Sequence, residues 1–269
     1  MLSDHLQQKS PLPTDAVSAV DAAALVGCDE AQFVWRNDDG GFTFRYGDDG
    51  RYLTWVPHDQ CSRLDDASRR SAWASAYIRV PQFTPVHPGL GGWWTTSAAI
   101  PGDSAVSDWG LAHPEQSVIA MATGLRRLHD GTPVHDCPFT RDMADQVRRA
   151  HRRIETDDWQ DAPDDYLASW SADDARAILA EGVNLAQDLV VCHGDSCAPN
   201  TIVEHGEFSG LVDIADLGVA DRWADLAVAT WSLGWNFGPG WDDIFYAAYE
   251  TTPDETKIRF YRLLWNAGW

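Results

Sequence analysis

Apolar and polar residues alternate along Phe42-Thr43-Phe44-Arg45-Tyr46, and the short apolar run within Gln32-Phe33-Val34-Trp35-Arg36 precedes it across the pair Gly40-Gly41. Such runs about a glycine pair predict two strands joined by a turn. Arg51-Tyr52-Leu53-Thr54-Trp55-Val56 continues the pattern as a third strand. The period then lengthens to that of a helix from Ser62 to Ala76. Gln82-Phe83-Thr84 and Trp93-Trp94-Thr95-Thr96 follow as a strand pair, and Pro101-Gly102 breaks the chain. Beyond Glu115 the positions Ile119, Ala122, Leu125 and Leu128 recur at helical spacing. Further helices are predicted near Arg141 to Thr156, Ala172 to Glu181, Asp221 to Trp235 and Thr256 to Leu264. The expected fold is α+β and bilobal: a polar leader over 1–20, a small antiparallel sheet with one helix over 21–100, and a larger, mainly helical lobe over 101–269.

Charge narrows the partners. Against 41 acidic residues stand 20 basic ones, a formal charge of -21. Such a chain repels nucleic acid and anionic membrane and draws cations to any acidic cleft, so a cationic small molecule is favoured. No run of eighteen apolar residues occurs, and Met1-Leu2-Ser3-Asp4-His5 opens without a secretory apolar segment; a cytoplasmic protein is expected. The five cysteines show no CxxC or Cys/His spacing, which predicts reduced packing residues and no structural metal.

The densest chemistry lies in Leu189-Val190-Val191-Cys192-His193-Gly194-Asp195-Ser196-Cys197-Ala198-Pro199-Asn200, followed by Thr201-Ile202-Val203-Glu204, a turn at His205-Gly206, and Leu211-Val212-Asp213. An apolar strand runs into a polar loop and then a hairpin. In a tight hairpin the start of one strand faces the end of its partner, which sets Asn200 opposite Asp213 with Asp195 nearby. Two oxygen ligands for magnesium beside a separate carboxylate suit phosphoryl transfer: the ligands hold the metal on nucleotide phosphates, and the carboxylate orients a hydroxyl and takes its proton. A lone His-x-Asp is common by chance. The spacing His193-x-Asp195-x4-Asn200 matches the kinase catalytic loop with Gly194 in place of Arg, and Asp213 stands where the kinase metal-binding Asp stands.

With Gly210-Leu211-Val212-Asp213, Leu217 to Ala227, Leu125-Arg126-Arg127-Leu128-His129, Cys137-Pro138-Phe139 and Arg259 to Leu264, this block resembles the bacterial aminoglycoside phosphotransferases of 3'- and 3''-type, over essentially the whole chain beyond the leader. The resemblance implies a kinase-like fold, ATP or GTP as donor, Mg2+, and an antibiotic hydroxyl as acceptor. It makes Asp195 the catalytic base, Asn200 and Asp213 the metal ligands, and His193 and Asp225 supports of the loop. Without the resemblance, Asp225 reads equally as a solvent-facing acid on a first helical turn. The nucleotide side would include Thr54, Gly40, Gly41, Ala99 and Ile100, although a Gly pair between strands is also an ordinary turn. Asp157, Asp158, Asp161 and the terminal carboxylate of Trp269 would hold the acceptor. No partner beyond nucleotide and acceptor is implied, and oligomeric state is left open.

Departures from the family bear on activity. Thr54 stands where relatives carry the Lys that binds phosphates, and Ala67 stands near the position of its Glu partner. One lost charged contact costs about 2–4 kcal/mol in the transition state. Three outcomes stay open: an arginine such as Arg51, Arg69 or Arg70 substitutes, the metal suffices, or the protein binds without transferring. The end, Trp265-Asn266-Ala267-Gly268-Trp269, lacks the Asp-Glu of relatives, and Trp231, Trp235, Trp241 and Trp265 suggest an aromatic wall. The expected activity is O-phosphotransfer to a hydroxylated cationic small molecule, foremost an aminoglycoside. The alternatives are an impaired, pseudokinase-like binding protein and a kinase of another metabolite.

Overall fold

The structure, a computed structural model, describes residues 17–37, 39–160, 166–168 and 170–268. Two compact units divide the chain, Met1–Pro101 and Gly102–Trp269.

The first unit opens with helix α1 (Ala19–Val26), which the reading of residues 1–20 as a polar leader misses. Ser18 and Asp21 form a reciprocal cap: the Asp21 amide donates to the Ser18 hydroxyl at 3.1 Å and the Ser18 amide to the Asp21 carboxylate at 3.1 Å. Val17, Ala22 and Ala23 are buried, so the end of that leader belongs to this unit. Strands β1 (Ala31–Arg36), β2 (Phe42–Tyr46) and β3 (Arg51–Pro57) form where the alternation places them. Helix α2 (Cys61–Ala74) follows, then β4 (His87–Gly89) and β5 (Gly92–Ser97). The antiparallel sheet has the order β1-β2-β3-β5-β4. The expected strand at Gln82-Phe83-Thr84 is only an isolated bridge from Phe83 to Ser97, because Pro81 and Pro85 bracket it and each removes a ladder donor. His87–Gly89 is the outer strand instead. Phe42, Phe44, Leu53 and Trp55 are buried on one face with Val17 and Ala22. Residues of opposite parity, Thr43 and Thr54, face the other way. The buried residues of α2, Leu64, Ser71 and Ala74, stand outside that cluster.

The second unit comprises β6 (Asp103–Ser104), α3 (Asp108–Ala112), α4 (Pro114–Gly131), α5 (Met143–Glu155), α6 (Ala172–Gly182), β7 (Leu189–Cys192), β8 (Thr201–Glu204), β9 (Glu207–Leu211), β10 (Gly218–Asp221), α7 (Trp223–Phe237), α8 (Asp242–Tyr249) and α9 (Glu255–Ala267). Its core joins Met121 and Leu125 of α4, Ile154 of α5, Leu179 of α6, Leu226 and Leu233 of α7, Phe245 of α8 and Phe260 and Leu264 of α9. The sequence missed α3, α8, β6 and β10. It also began α7 two residues early, because Asp221 ends β10. One Asp221 carboxylate oxygen accepts the Trp223 amide at 2.9 Å, and the other accepts Lys257 Nζ at 2.7 Å and the Asp188 amide at 2.9 Å. All five cysteines are free thiols. Among the described residues no helix is long and apolar enough to cross a membrane.

Candidate active site

Strand β7 delivers the chain into a loop whose geometry depends on Gly194. Its φ is +97°, and a Cβ there would lie 2.0 Å from Arg141 Nη1 and 2.4 Å from the Asp216 carbonyl oxygen, so only glycine fits. The loop is suspended from the fully buried Asp225. Its Oδ2 accepts the His193 amide at 2.6 Å and faces His129 Nε2 at 3.0 Å, and its Oδ1 accepts the Gly194 amide at 3.0 Å. Burial by itself pushes this carboxyl up, but the hydrogen bond and charge of His129, with the other donors, outweigh it and hold Asp225 below the usual carboxylate range. His129 is steadied by the Tyr249 hydroxyl at 2.7 Å from Nδ1, and that hydroxyl accepts from Arg222 at 2.9 Å. Two further ties come from α7: Ser196 Oγ donates to the Asp225 carbonyl at 2.7 Å, and Ser232 Oγ accepts the Ala198 amide at 2.8 Å.

His193 is a brace. Its Nδ1 accepts the Asp195 amide at 3.2 Å, which leaves Nε2–H to donate to the Val212 carbonyl at 2.9 Å. The imidazole thereby ties the loop to the segment that carries Asp213. Asn200 Nδ2 donates to both the carbonyl and the Oδ2 of Asp195, at 2.9 and 3.0 Å. Asp195 Oδ1 is shielded from solvent and accepts from no N–H or O–H, although the Cys197 thiol is a weak donor to this carboxylate. A shielded, unmatched carboxylate oxygen is costly unless an O–H or a cation meets it. Cys197 lies beside it, its thiol pushed well up by burial and then by the Asp195 charge.

The hairpin pairs Thr201 with Leu211, and the Val212 amide donates to the Asn200 carbonyl at 3.0 Å. The residue opposite Asn200 is therefore Val212, and the expected facing pair of Asn200 and Asp213 is corrected by one position. The extra residue at the bulge, Ser209 of β9, moves the position opposite Asn200 from Leu211 to Val212, which is still one residue short of Asp213. Asp213 stands beyond the strand, exposed, at φ +56°. A non-glycine residue held in the left-handed region is characteristic of functional sites. With Nδ2 committed to Asp195, Asn200 retains its amide oxygen, and with Asp213 this forms an oxygen donor set that fits magnesium. A second cluster, His129, Cys192 and Asp225, does not fit a metal: it is hydrogen-bonded within itself, Cys192 Sγ donates to the Asp221 carbonyl at 3.3 Å, and burial pushes the thiol well up. His129, Ser196 and Ser232 carried no role in the sequence reading, since their function appears only once α4 and α7 pack against the loop.

In the first unit Thr54 pairs with Thr43 on one side and Thr95 on the other. The turn amides of Gly40 and Gly41 are taken by Asn37, at 3.2 Å to its carbonyl and 2.6 Å to its Oδ1. Ala99 and Ile100 follow β5 and are half-buried. Arg51 alternates onto the face opposite Thr54, and Arg69 and Arg70 pair with Asp66, the latter at 3.3 Å.

On the acceptor side, Asp157 is exposed at φ +57°. Asp158 is engaged by Arg153, whose Nε donates to its carbonyl at 2.5 Å and whose guanidinium lies 3.6 Å from its carboxylate. Arg153 also donates to the Asn266 carbonyl at 2.9 Å and Arg149 to that of Gly268 at 2.6 Å, which caps the end of α9. Asp161 and Trp269 lie outside the described residues. Trp231, Trp235 and Trp265 cluster with ring centroids 4.9–5.9 Å apart. Tyr166 joins them 5.2 Å from Trp231. Trp241 is occupied separately, its Nε1 donating to the Phe237 carbonyl at 3.2 Å.

The sequence pattern of the phosphotransferase enzyme family matches residues 47–261. The chain belongs to that family. An aminoglycoside 3'-phosphotransferase of Streptomyces fradiae is 33% identical over 223 residues, covering 78% of this chain and 81% of that protein. A streptomycin 3''-kinase of Streptomyces griseus is 31% identical, covering 88% and 91%. Among solved structures, a 3''-type aminoglycoside phosphotransferase of Streptomyces rimosus superposes with a TM-score of 0.76 at 28% identity, over 93% of this chain and 97% of that one. The same enzyme has been solved with ADP and streptomycin, with a TM-score of 0.68. The bilobal kinase-like fold expected from the catalytic-loop residues is the fold of these family members.

Proposed function

We propose that this member of the phosphotransferase family moves the γ-phosphoryl group of ATP or GTP to a hydroxyl of an aminoglycoside, in the cytoplasm. The observation that carries this reading is Asp195. Asn200 fixes one of its oxygens, while the other is shielded and accepts from no N–H or O–H, the weak Cys197 thiol being the carboxylate's further donor. That oxygen is the seat for an acceptor O–H. Asp195 orients the hydroxyl and takes its proton as the oxygen attacks phosphorus, and Asp225, His129 and His193 keep the loop from relaxing away. Asn200 and Asp213 would hold Mg2+, which when bound neutralises charge on the donor phosphates. Thr54, Gly40, Gly41, Ala99 and Ile100 form the nucleotide side, and Asp157, Asp158, Asp161 and the Trp269 carboxylate attract the acceptor's ammonium groups. A second reading, binding without transfer, is favoured by the neutral Thr54 alone.

The test is transfer of labelled γ-phosphate from Mg·ATP and Mg·GTP to a panel of aminoglycosides. Transfer by the wild type that vanishes in a folded Asp195→Ala variant supports the reading. Nucleotide binding without transfer to any acceptor supports the second.

A further inference from the structure

Among its described residues the first unit has no lysine to meet a nucleotide's phosphates, yet a guanidinium stands at the glycine-turn end of the sheet. Thr54 is opposite Thr43, two residues from Gly41, and Pro57 Cγ lies 3.5 Å from the position a Cβ on Gly40 would take. Thr54 is therefore central in β3, three residues before the Pro57 end that lies beside the glycine turn. Arg63, in the first turn of α2, reaches this turn through an ion pair with Asp39, Nε to Oδ2 at 3.7 Å. It is also four residues before Ala67, so it lies on the same helical stripe one turn earlier.

Of the other arginines of this unit, Arg79 lies beyond the C-terminal end of α2, between the buried Ile78 and Val80, and the rest are also placed less well. Arg36 is stacked on Phe42 at 5.7 Å, and the Arg45 guanidinium packs over Gly50 at the far end of β2. Arg51 faces away, and Arg69 and Arg70 share Asp66.

We propose that Arg63 is the phosphate-binding cation of this chain, held beside the glycine turn by Asp39 until a nucleotide phosphate takes the carboxylate's place. This rests on the phosphotransfer reading above. Both side chains are about half exposed, at 47% and 50%. An exposed pair at this distance is worth at most about 1 kcal/mol, so a phosphate that offers a fork of oxygens displaces Asp39 readily. Because Asn37 occupies the turn amides, a side chain has to supply the donors that a glycine-rich loop otherwise presents from its backbone.

The experiment is calorimetric binding of Mg·ATP, Mg·GTP, adenosine and guanosine to the full chain, with thermal melts as a folding control. Arg63→Ala is expected to weaken binding of the preferred triphosphate by roughly 10- to 100-fold while nucleoside affinity stays unchanged. Arg63→Lys is expected to recover part of the loss. Asp39→Ala is expected to tighten triphosphate binding a few-fold, only while Arg63 is present. Wild-type triphosphate affinity in Arg63→Ala, or an equal loss for the nucleoside, overturns the assignment. If that happens while transfer still requires Asp195, the functional reading stands without Arg63. A wild type that binds no nucleotide overturns both.

Discussion

The loop after β7 and the glycine-turn end of the first sheet are built in opposite ways. Around Asp225 nearly every donor is buried and matched: two backbone amides, an imidazole, and a second layer of Tyr249 and Arg222 behind it. Such a network is costly to break and fixes atoms to within a hydrogen bond's tolerance. Around Thr54 the contacts are neutral hydroxyls, a turn capped by its own Asn37 and one exposed ion pair. A buried network holds a reacting carboxylate in place whether or not substrate is bound. An exposed arginine can exchange partners when one arrives. The buried network suits a group that must be held still, and the exposed pair suits one that must change partners.

That contrast breaks most sharply at Asp213. Asp213→Gly removes a metal ligand and at the same time relieves a left-handed residue. Transfer is expected to fall by about a thousandfold or more, while stability is unchanged or rises by up to about 1 kcal/mol. Parallel denaturant curves and initial rates check it, and joint loss of both would assign Asp213 a structural role. The next largest effect is on the loop's anchor. Asp225→Ala leaves three buried donors without an acceptor and is expected to destabilise the protein by about 3–5 kcal/mol, read as a lower urea midpoint.

Acid probes the same group without removing it. Because Asp225 is held below its ordinary value, its stabilising contribution is complete above about pH 5. It is lost as pH falls through the unfolded value near 4 and on through the depressed folded one. The wild type should lose stability over that window more steeply than Asp225→Asn, and parallel profiles would remove the carboxylate from the account. The smallest expected effect belongs to the first unit: Thr54→Lys should tighten Mg·ATP binding by about tenfold, read by calorimetry.

The parts of this molecule that were legible in the sequence are those encoded by local rules. Strand β2 follows from strict alternation, β1 and β3 from short runs rich in aromatic and branched residues bounded by turns, and the loop after β7 from the spacing of its polar residues within a dozen positions. The misses have physical causes. Helix α1 is announced only by Ser18 and Asp21, in a stretch otherwise polar. Strand β10 hides because Asp221 serves as an acceptor across three chain segments, a role that sequence position does not reveal. The prolines at 81 and 85 move a strand to His87–Gly89. The bulge at Ser209 in β9 advances the register by one residue, which leaves Val212 and not Asp213 opposite Asn200. Arg63 was passed over because charged residues on a short helix carry no signal until the register of the sheet brings one of them to the glycine turn.

The most direct test of the central claim is the turnover of Asp195→Asn, a change that preserves shape while removing the carboxylate's charge and its capacity to accept a proton. The rate of phosphate transfer is expected to fall by about two to four decades, with nucleotide affinity and melting temperature unchanged. Turnover close to that of the wild type would contradict the assignment of Asp195 as the group that takes the acceptor's proton.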